Sequence, residues 1–210
     1  MTRLTSIIVL SALLVACEAA AQPVPTPSPS PTPHTSPSVA SLQPGDVPTG
    51  LNACLGSGPI DVYLTNLAAG DAPLATRVEV QWLHLRAAGA LDAAISLFAA
   101  NPSACNVELA ATPDIKAAAS FVAVFADAGQ AERAWESGVF GLVPPARGEL
   151  PPGLNRGTVT GLGLSSWTYD HAPLRLACWH RSVFVALVAV SNLDATAFKT
   201  ATAAVDARLN

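Results

Sequence analysis

The sequence is poor in charged residues. Only 12% of its 210 residues are Asp, Glu, Lys or Arg, whereas an average soluble domain carries about 25%. The 11 basic residues, most of them arginines, are spread along the chain and form no cluster. Because binding to a phosphate backbone needs clustered Lys and Arg side chains, we expect no nucleic-acid partner.

The chain also lacks the short motifs of metal and nucleotide sites. It has no Cys-x-x-Cys or His-x-x-x-His spacing, so no metal site is expected. The glycine-containing segment 160–165 has no lysine and precedes an apparent strand, whereas a phosphate loop opens a helix. The sequence therefore predicts no cofactor.

The first residues are typical of an export signal. Arg3 supplies a positive charge, and residues 7–16 are apolar except for Ser11. About ten residues of helix span roughly 15 Å, half of a hydrocarbon core of about 30 Å. The pattern predicts a signal peptide over residues 1–16 rather than a transmembrane helix.

This signal ends in Leu14-Val15-Ala16-Cys17, which resembles the lipobox of bacterial lipoproteins. The resemblance implies cleavage before Cys17 and its acylation by fatty acids such as palmitate. Two or three acyl chains anchor a protein stably, so the resemblance implies a lipid-anchored protein of the cell membrane whose domain lies on the extracytoplasmic side. An ordinary cleaved signal and a retained anchor are the alternatives.

A proline-rich segment follows the lipobox. Residues 22–48 contain many prolines mixed with Ser and Thr, and Asp46 is their only charged residue. Such a segment has too little apolar surface to fold, so residues 17–48 are predicted to be a lipidated, disordered stalk. At about 3.1 Å per residue, the proline-rich part would reach roughly 80 Å.

The rest of the chain is predicted to fold as one domain. Residues 49–210 suffice for a single core. Residues 49–103 are expected to be mainly helical, and residues 104–210 to form a sheet with helices. The predicted fold class is α+β, with a mostly antiparallel sheet, helices packed on one face and the amino-terminal helical subregion beside it.

Hydrophobic periodicity gives the individual elements. Apolar residues at helical spacing predict helices over residues 74–85 and 91–98, a further helix over 129–136, and a terminal helix capped by Asp194. The β-branched and aromatic run over residues 78–83 leaves a strand open as the alternative to the first of these helices. The predicted strands are 106–110, 121–125, 158–163, 166–170, 174–180 and 183–191.

Three cysteines remain after Cys17, and an exported protein can form disulfides. Cys54 and Cys105 lie in turn-like surroundings, and we expect them to pair. A Cys105–Cys178 bridge, an intermolecular bridge and the absence of any bridge stay open. Cys178 lies in a predicted strand and reads as a buried small apolar residue.

A serine hydrolase using Ser165 or Ser166 with a histidine is one alternative function. The Gly-x-Ser-x-Gly elbow of such enzymes is absent. Asp170 and His171 are adjacent and would point to opposite faces of a strand, so they would not pair there. No catalytic residue is therefore predicted with any specificity.

Two regions are candidates for ligand binding. Trp167 and Tyr169 on one strand, with Arg175 and Trp179 on the next, could form an aromatic and basic patch. The competing interpretation is that these aromatic side chains belong to the core.

The second candidate is the irregular loop near residues 144–156, with Arg147 and Arg156 as contact groups. Long irregular loops in compact domains are often functional.

The order of lipobox, stalk and small α+β domain resembles uncharacterised bacterial envelope lipoproteins at the level of architecture. The leading hypothesis is a membrane-tethered, non-catalytic module that binds a small ligand or another envelope component. The tethered hydrolase and a structural envelope protein are the alternatives.

Overall fold

The computed structural model describes residues 35–101, 105, 115–148 and 150–209. Its α-helices are α1 (Pro37–Ala40), α2 (Ile60–Gly70), α3 (Ala72–Ala87), α4 (Ala128–Ser137) and α5 (Ala195–Ala207). Its strands are β1 (Asn52–Ala53), β2 (Gly58–Pro59), β3 (Ala90–Ala99), β4 (Ala117–Phe125), β5 (Leu154–Arg156), β6 (Ser166–His171), β7 (Leu174–Arg181) and β8 (Phe184–Ser191).

The strands of the described residues form one antiparallel sheet. Their order is β1-β3-β4-β8-β7-β6-β5, and β2 also pairs with β3. Apolar and β-branched residues dominate the central strands, which favours a half-buried or buried sheet. The α+β class is confirmed, as are the strands predicted over 121–125, 166–170, 174–180 and 183–191.

The helices are divided between the two faces of the sheet. Along β8, Phe184, Ala186 and Val188 belong to the core cluster under α5, while Val185 and Leu187 belong to the cluster under α2, α3 and α4. This corrects the expectation that the helices share one face. Because β8 is apolar at consecutive positions, both of its faces must be shielded from water, and α5 shields the face opposite α2, α3 and α4.

Three predicted helices are confirmed and share one capping arrangement. The carboxylates of Asp71, Asp127 and Asp194 accept hydrogen bonds from the backbone N–H three residues later, at the starts of α3, α4 and α5. The predicted apolar stripe of α3 is also present, since Leu74 and Trp82 are buried.

The helix predicted over residues 91–98 is wrong, because strand β3 occupies Ala90–Ala99. From Ala93 onward, every residue of β3 is buried. A strand that is buried on both faces does not alternate between apolar and polar residues, so its apolar spacing can match that of a helix. The helical part of this region is therefore limited to α2 and α3.

The strand predicted over residues 158–163 is also wrong. A 3₁₀ helix, Gly157–Thr160, occupies the start of this segment. Gly161 and Gly163 follow with φ of 80° and 102°, a left-handed conformation that interrupts a strand and favours glycine. The strand predicted over 106–110 lies outside the described residues.

Residues 37–47 pack on the domain, although the sequence placed them in the stalk. We call them the strap. Leu42 is buried in the cluster under α5, and its N–H donates a hydrogen bond to Ser120 Oγ at 2.9 Å. Asp46 forms an ion pair with Arg208, with an N–O distance of 2.7 Å. The predicted boundary near residue 48 is corrected, because the domain includes the strap.

The predicted disulfide is confirmed. Cys54, next to β1, bonds to Cys105, with 5.6 Å between the Cα atoms. Cys178 is a free thiol, fully buried on β7. The bridge fastens the segment after β3 to the segment that leads into α2.

Candidate functional site

One face of the sheet is only partly covered by its helices. α4 packs over one part of β7 and β8, where Cys178 is fully buried. Leu176 and Leu187 nevertheless remain partly exposed in these central strands. The next residues along the strands, Ala177 and Val188, are fully buried on the opposite face. The sheet therefore presents an apolar surface beyond the end of α4.

Strand register explains the shape of this surface. Leu97, Ala119, Ala189 and Leu176 are in register across β3, β4, β8 and β7. Side chains that are opposite one another on antiparallel strands lie about 4.5–5.5 Å apart at Cβ. Two methyl side chains between two leucines leave a depression in the middle of the row.

Helices α2 and α3 form one wall above this floor. Leu74, Val78 and Gln81 project from α3 at helical spacing, and Tyr63 comes from α2. The floor and the walls enclose a cavity, which we call the sheet cavity. The apolar positions of α3 therefore serve both the packing of the helix and the lining of the cavity.

The turn after α4 forms the opposite wall. Phe140 has φ of 51°, which is uncommon for a bulky residue, and Val139 and Leu142 close the turn by a bridge. The Phe140 ring packs edge-to-face on Phe121, with 4.7 Å between the centroids. A strained residue costs about 1–3 kcal/mol and persists only where its surroundings hold it, and here the aromatic contact does so.

The sheet cavity has the size of a ligand site. Its volume is about 740 Å³, within the range of about 300–1,000 Å³ that is typical of ligand pockets. Most of its lining is aliphatic or aromatic, and the polar side chains Tyr63, Thr76, Arg77 and Gln81 all come from α2 and α3. A fifth polar residue, Ser120, directs its Oγ to the strap on the opposite face.

The polar side of the cavity contains both a neutral and a charged group. Burial raises the pKa of the Tyr63 hydroxyl, so it stays a neutral hydrogen-bonding group near pH 7. Arg77 is exposed and is the one charged residue among the described residues that line the cavity. The cavity thus joins an apolar floor to a polar rim on α2 and α3.

The predicted aromatic and basic patch is not a surface of the fold. Trp167, 4% exposed, and Tyr169 lie on the cavity side of the sheet, whereas Arg175 and Trp179, which is 0% exposed, lie on the opposite side. Arg175 forms an ion pair with Asp170 at 2.6 Å. The tryptophans belong to the core, and the structure does not bring the four residues together.

The loop candidate has a structural role at one of its two arginines. The Arg156 guanidinium donates a hydrogen bond to Pro145 O and lies 5.6 Å from the centroid of the Trp135 ring. It therefore fastens the loop to α4. Arg147 is exposed on the same loop and does not line the sheet cavity.

The hydrolase alternative gains no support from the side-chain geometry. Ser166 is fully buried, and its hydroxyl bonds to backbone carbonyls. Ser165 donates to Glu132 Oε1 at 3.5 Å. Ring nitrogens of His171 and His180 bond to nearby backbone carbonyls. Among the described residues, neither serine hydroxyl forms a hydrogen bond with a histidine ring, and the one contact between Ser165 and His180 is a backbone hydrogen bond from His180 N–H to Ser165 O at 2.9 Å.

None of the predicted binding residues lines the sheet cavity, so sequence reasoning missed this site. Its lining consists of apolar residues from distant segments, which look like ordinary core residues in a sequence. One local feature of the sequence points to the cavity. Phe140, which lines it, lies in an irregular segment between Gly138 and Gly141, and both glycines have positive φ.

Within residues 35–101, 105, 115–148 and 150–209, no group of three potential metal ligands occurs, and no helix is long and apolar enough to cross a membrane. Comparison of the chain with protein-family models, with curated proteins and with solved structures found no match.

Proposed function

We propose that this protein is a lipid-anchored extracytoplasmic binding module and that the sheet cavity is its ligand site. The observation that carries the proposal is the partly exposed apolar floor in the middle of the sheet, with Leu176 and Leu187 as its clearest members. Exposed contiguous apolar surface on a soluble domain commonly marks a binding site.

Anchoring is supported by the sequence and by the disulfide. The lipobox at Cys17 implies acylation, and the Cys54–Cys105 bridge is typical of proteins in oxidising compartments. We expect Cys17→Ala to release the protein from the membrane fraction and to remove its fatty acids from the mass spectrum. Unchanged fractionation and mass would contradict anchoring at this residue.

Binding rather than catalysis is the chemistry that the cavity offers. The described residues of its lining include no Asp, Glu, His or Cys, so the lining supplies no acid–base pair. The main contribution of the cavity to binding is the removal of apolar surface from water. Each buried methylene contributes about 0.8 kcal/mol, so about ten methylenes would contribute roughly 8 kcal/mol before the entropic cost of association.

A cavity-filling variant tests the ligand site. Ala119 lies on the floor, and Ala119→Phe places a ring where the ligand would lie. The matched control is Ala203→Phe, at an exposed position of α5 on the opposite side of the sheet. We expect native mass spectrometry of the full chain, purified from membranes, to show a bound compound in the wild type and in the control.

The same compound should be missing from Ala119→Phe, while far-ultraviolet circular dichroism remains that of the wild type. Identical bound masses in all three proteins would contradict the assignment of the cavity. A wild-type protein that carries nothing beyond its own acyl chains would contradict it as well.

A further inference from the structure

We propose that the sheet cavity binds an uncharged amphiphile with one aliphatic chain, whose tail lies on the sheet and whose neutral head group meets the rim formed by α2 and α3. This inference rests on the proposed function and names the ligand class of the same site. The shared chemistry is a hydrocarbon chain that ends in a hydroxyl or an ester, and it is found in long-chain alcohols and in monoacylglycerols.

The floor favours a hydrocarbon tail over a polar ligand. The side chains of its central row, from Leu97 on β3 to Leu176 on β7, are all leucine or alanine. None of these side chains carries a hydrogen-bonding atom. A polar group placed there would lose its contacts with water and gain none, which is unfavourable. Flexible aliphatic side chains match a hydrocarbon chain in shape and polarity.

The relief of the floor gives one tail a path. The methyl side chains of Ala119 and Ala189 lie in the middle of the central row, and three spacings of about 4.8 Å between strands make this row about 14 Å long. Two residues along the strands, the next row contains the larger Phe121 and Leu187. A second chain beside the first would meet this taller row and Phe140, which packs on Phe121.

The rim selects no charged head group. Arg77 is the one charged residue among the described residues that line the cavity, and it already has an interaction partner within the protein. No uncompensated charge at the rim therefore selects an anion. The described lining also holds no Asp or Glu that would pair with a cation. A charged head group drawn into the cavity would lose hydration and gain no counter-charge, which is costly.

The rim offers neutral hydrogen-bonding groups instead. Tyr63 lines the cavity from α2 and Gln81 from α3, and the two helices pack on each other. Burial raises the pKa of Tyr63, so its hydroxyl is neutral near pH 7. A phenol hydroxyl and an amide both donate and accept hydrogen bonds, so they can pair with a hydroxyl or an ester. The hydroxyl of Thr76, by contrast, already donates to Ala72 O at 3.1 Å.

Three photoreactive probes test the class of head group. They share one alkyl chain that carries a diazirine, and they end in a hydroxyl, a sulfonate or a trimethylammonium group. Each probe is incorporated at the same mole fraction into lipid nanodiscs that hold the full chain, and labelled peptides are mapped by mass spectrometry. We expect the hydroxyl probe to label the floor segments 117–125 and 174–191, but not α5 across the sheet. Floor labelling by both charged probes should be at least fivefold weaker, and equal labelling by either would overturn the uncharged class.

A floor variant tests the position of the tail. Ala119→Phe should reduce floor labelling by the hydroxyl probe at least fivefold, and Ala203→Phe should leave it unchanged. Equal floor labelling in the two variants would overturn the path along the central row. If Ala119→Phe fails to fold, excess unlabelled long-chain alcohol should abolish floor labelling in the wild type, and undiminished labelling would count against a saturable site.

A rim variant tests the position of the head group. The double variant Tyr63→Phe/Gln81→Met removes both neutral hydrogen-bonding groups and keeps side chains of similar size. Floor labelling by the hydroxyl probe should fall about two- to tenfold, as for the loss of one neutral hydrogen bond, while labelling by a plain hydrocarbon probe with the same chain should stay the same. Equal effects on the two probes would overturn the placement of the head group at this rim.

Further arms separate the source of the chain and the two levels of the proposal. Floor labelling by a monoacylglycerol probe with the same chain, but not by the free alcohol, would support the site and assign it to an ester lipid. Labelling of the floor by a compact aryl diazirine alone would overturn the aliphatic ligand and leave a binding cavity in place. No floor labelling by any probe would overturn both.

Discussion

The strap gives a sharp prediction about stability. Leu42 is 1% exposed, so Leu42→Ala removes a fully buried side chain from the cluster under α5. Replacing a buried leucine by alanine costs about 2–5 kcal/mol. For a chain of this size each kcal/mol shifts Tm by about 2–4 °C. A cost of about 3 kcal/mol therefore predicts a fall of roughly 6–12 °C, measured by circular dichroism on the full chain.

The control is Val39→Ala in the same strap. Val39 is 59% exposed, and surface substitutions usually change stability by no more than about 0.5 kcal/mol. If the strap belonged to a stalk, both variants would behave like the wild type. A Tm for Leu42→Ala that equals that of Val39→Ala would refute the packing of this segment.

Three further predictions concern the disulfide, the strap ion pair and the free thiol. The cysteines of the Cys54–Cys105 bridge are 51 residues apart in sequence. Reduction of the bridge should therefore lower the free energy of unfolding by about 4 kcal/mol and Tm by roughly 8–16 °C. An unchanged Tm in reductant would contradict a bridge that stabilises the fold. Burial opposes the ionisation of Asp46, but the hydrogen bonds from Arg208 and the backbone and the Arg208 charge outweigh it, so its pKa lies below the usual value. The ion pair therefore stabilises the fold at neutral pH, and this stabilisation is lost as the pH falls below about 3.9 and through the lower folded-state pKa of Asp46. In Asp46→Asn, the free energy of unfolding measured in urea should no longer show this loss at acidic pH. The same acid dependence in the variant and the wild type would contradict a stabilising ion pair. Cys178 is a buried free thiol, and burial raises its pKa. Because iodoacetamide reacts with an accessible thiolate, it should modify Cys178 in urea but not in the native protein. Mass spectrometry of the two samples measures the modification.

Local sequence signals predicted much of the sheet. The strands β6, β7 and β8 are separated by short turns, and their apolar runs are too short for buried helices. The carboxylate at Asp194 and the apolar stripe behind it sufficed for α5. The disulfide followed from the turn-like surroundings of its two cysteines.

Tertiary packing decided what the sequence could not. In β3, burial on both faces removes the alternation that identifies a strand, so its pattern looks helical. In the strap, the proline content hid Leu42, whose burial depends on α5 and β4 far away in sequence. Whether an apolar residue lies in a core or in a cavity depends on the helix above it, and Leu187 has no local feature that reveals its partial exposure.

The central claim is that ligand binds on one face of the sheet, and methyl resonances of neighbouring residues can test it. Methyl-labelled full chain in lipid nanodiscs would be titrated with a neutral long-chain alcohol, which matches the apolar floor of the cavity, and followed by nuclear magnetic resonance. We predict saturable shifts for Leu176 and Leu187 on the cavity face, and unchanged resonances for Ala177 and Val188 on the opposite face. No shifts, or equal shifts on the two faces, would contradict the account.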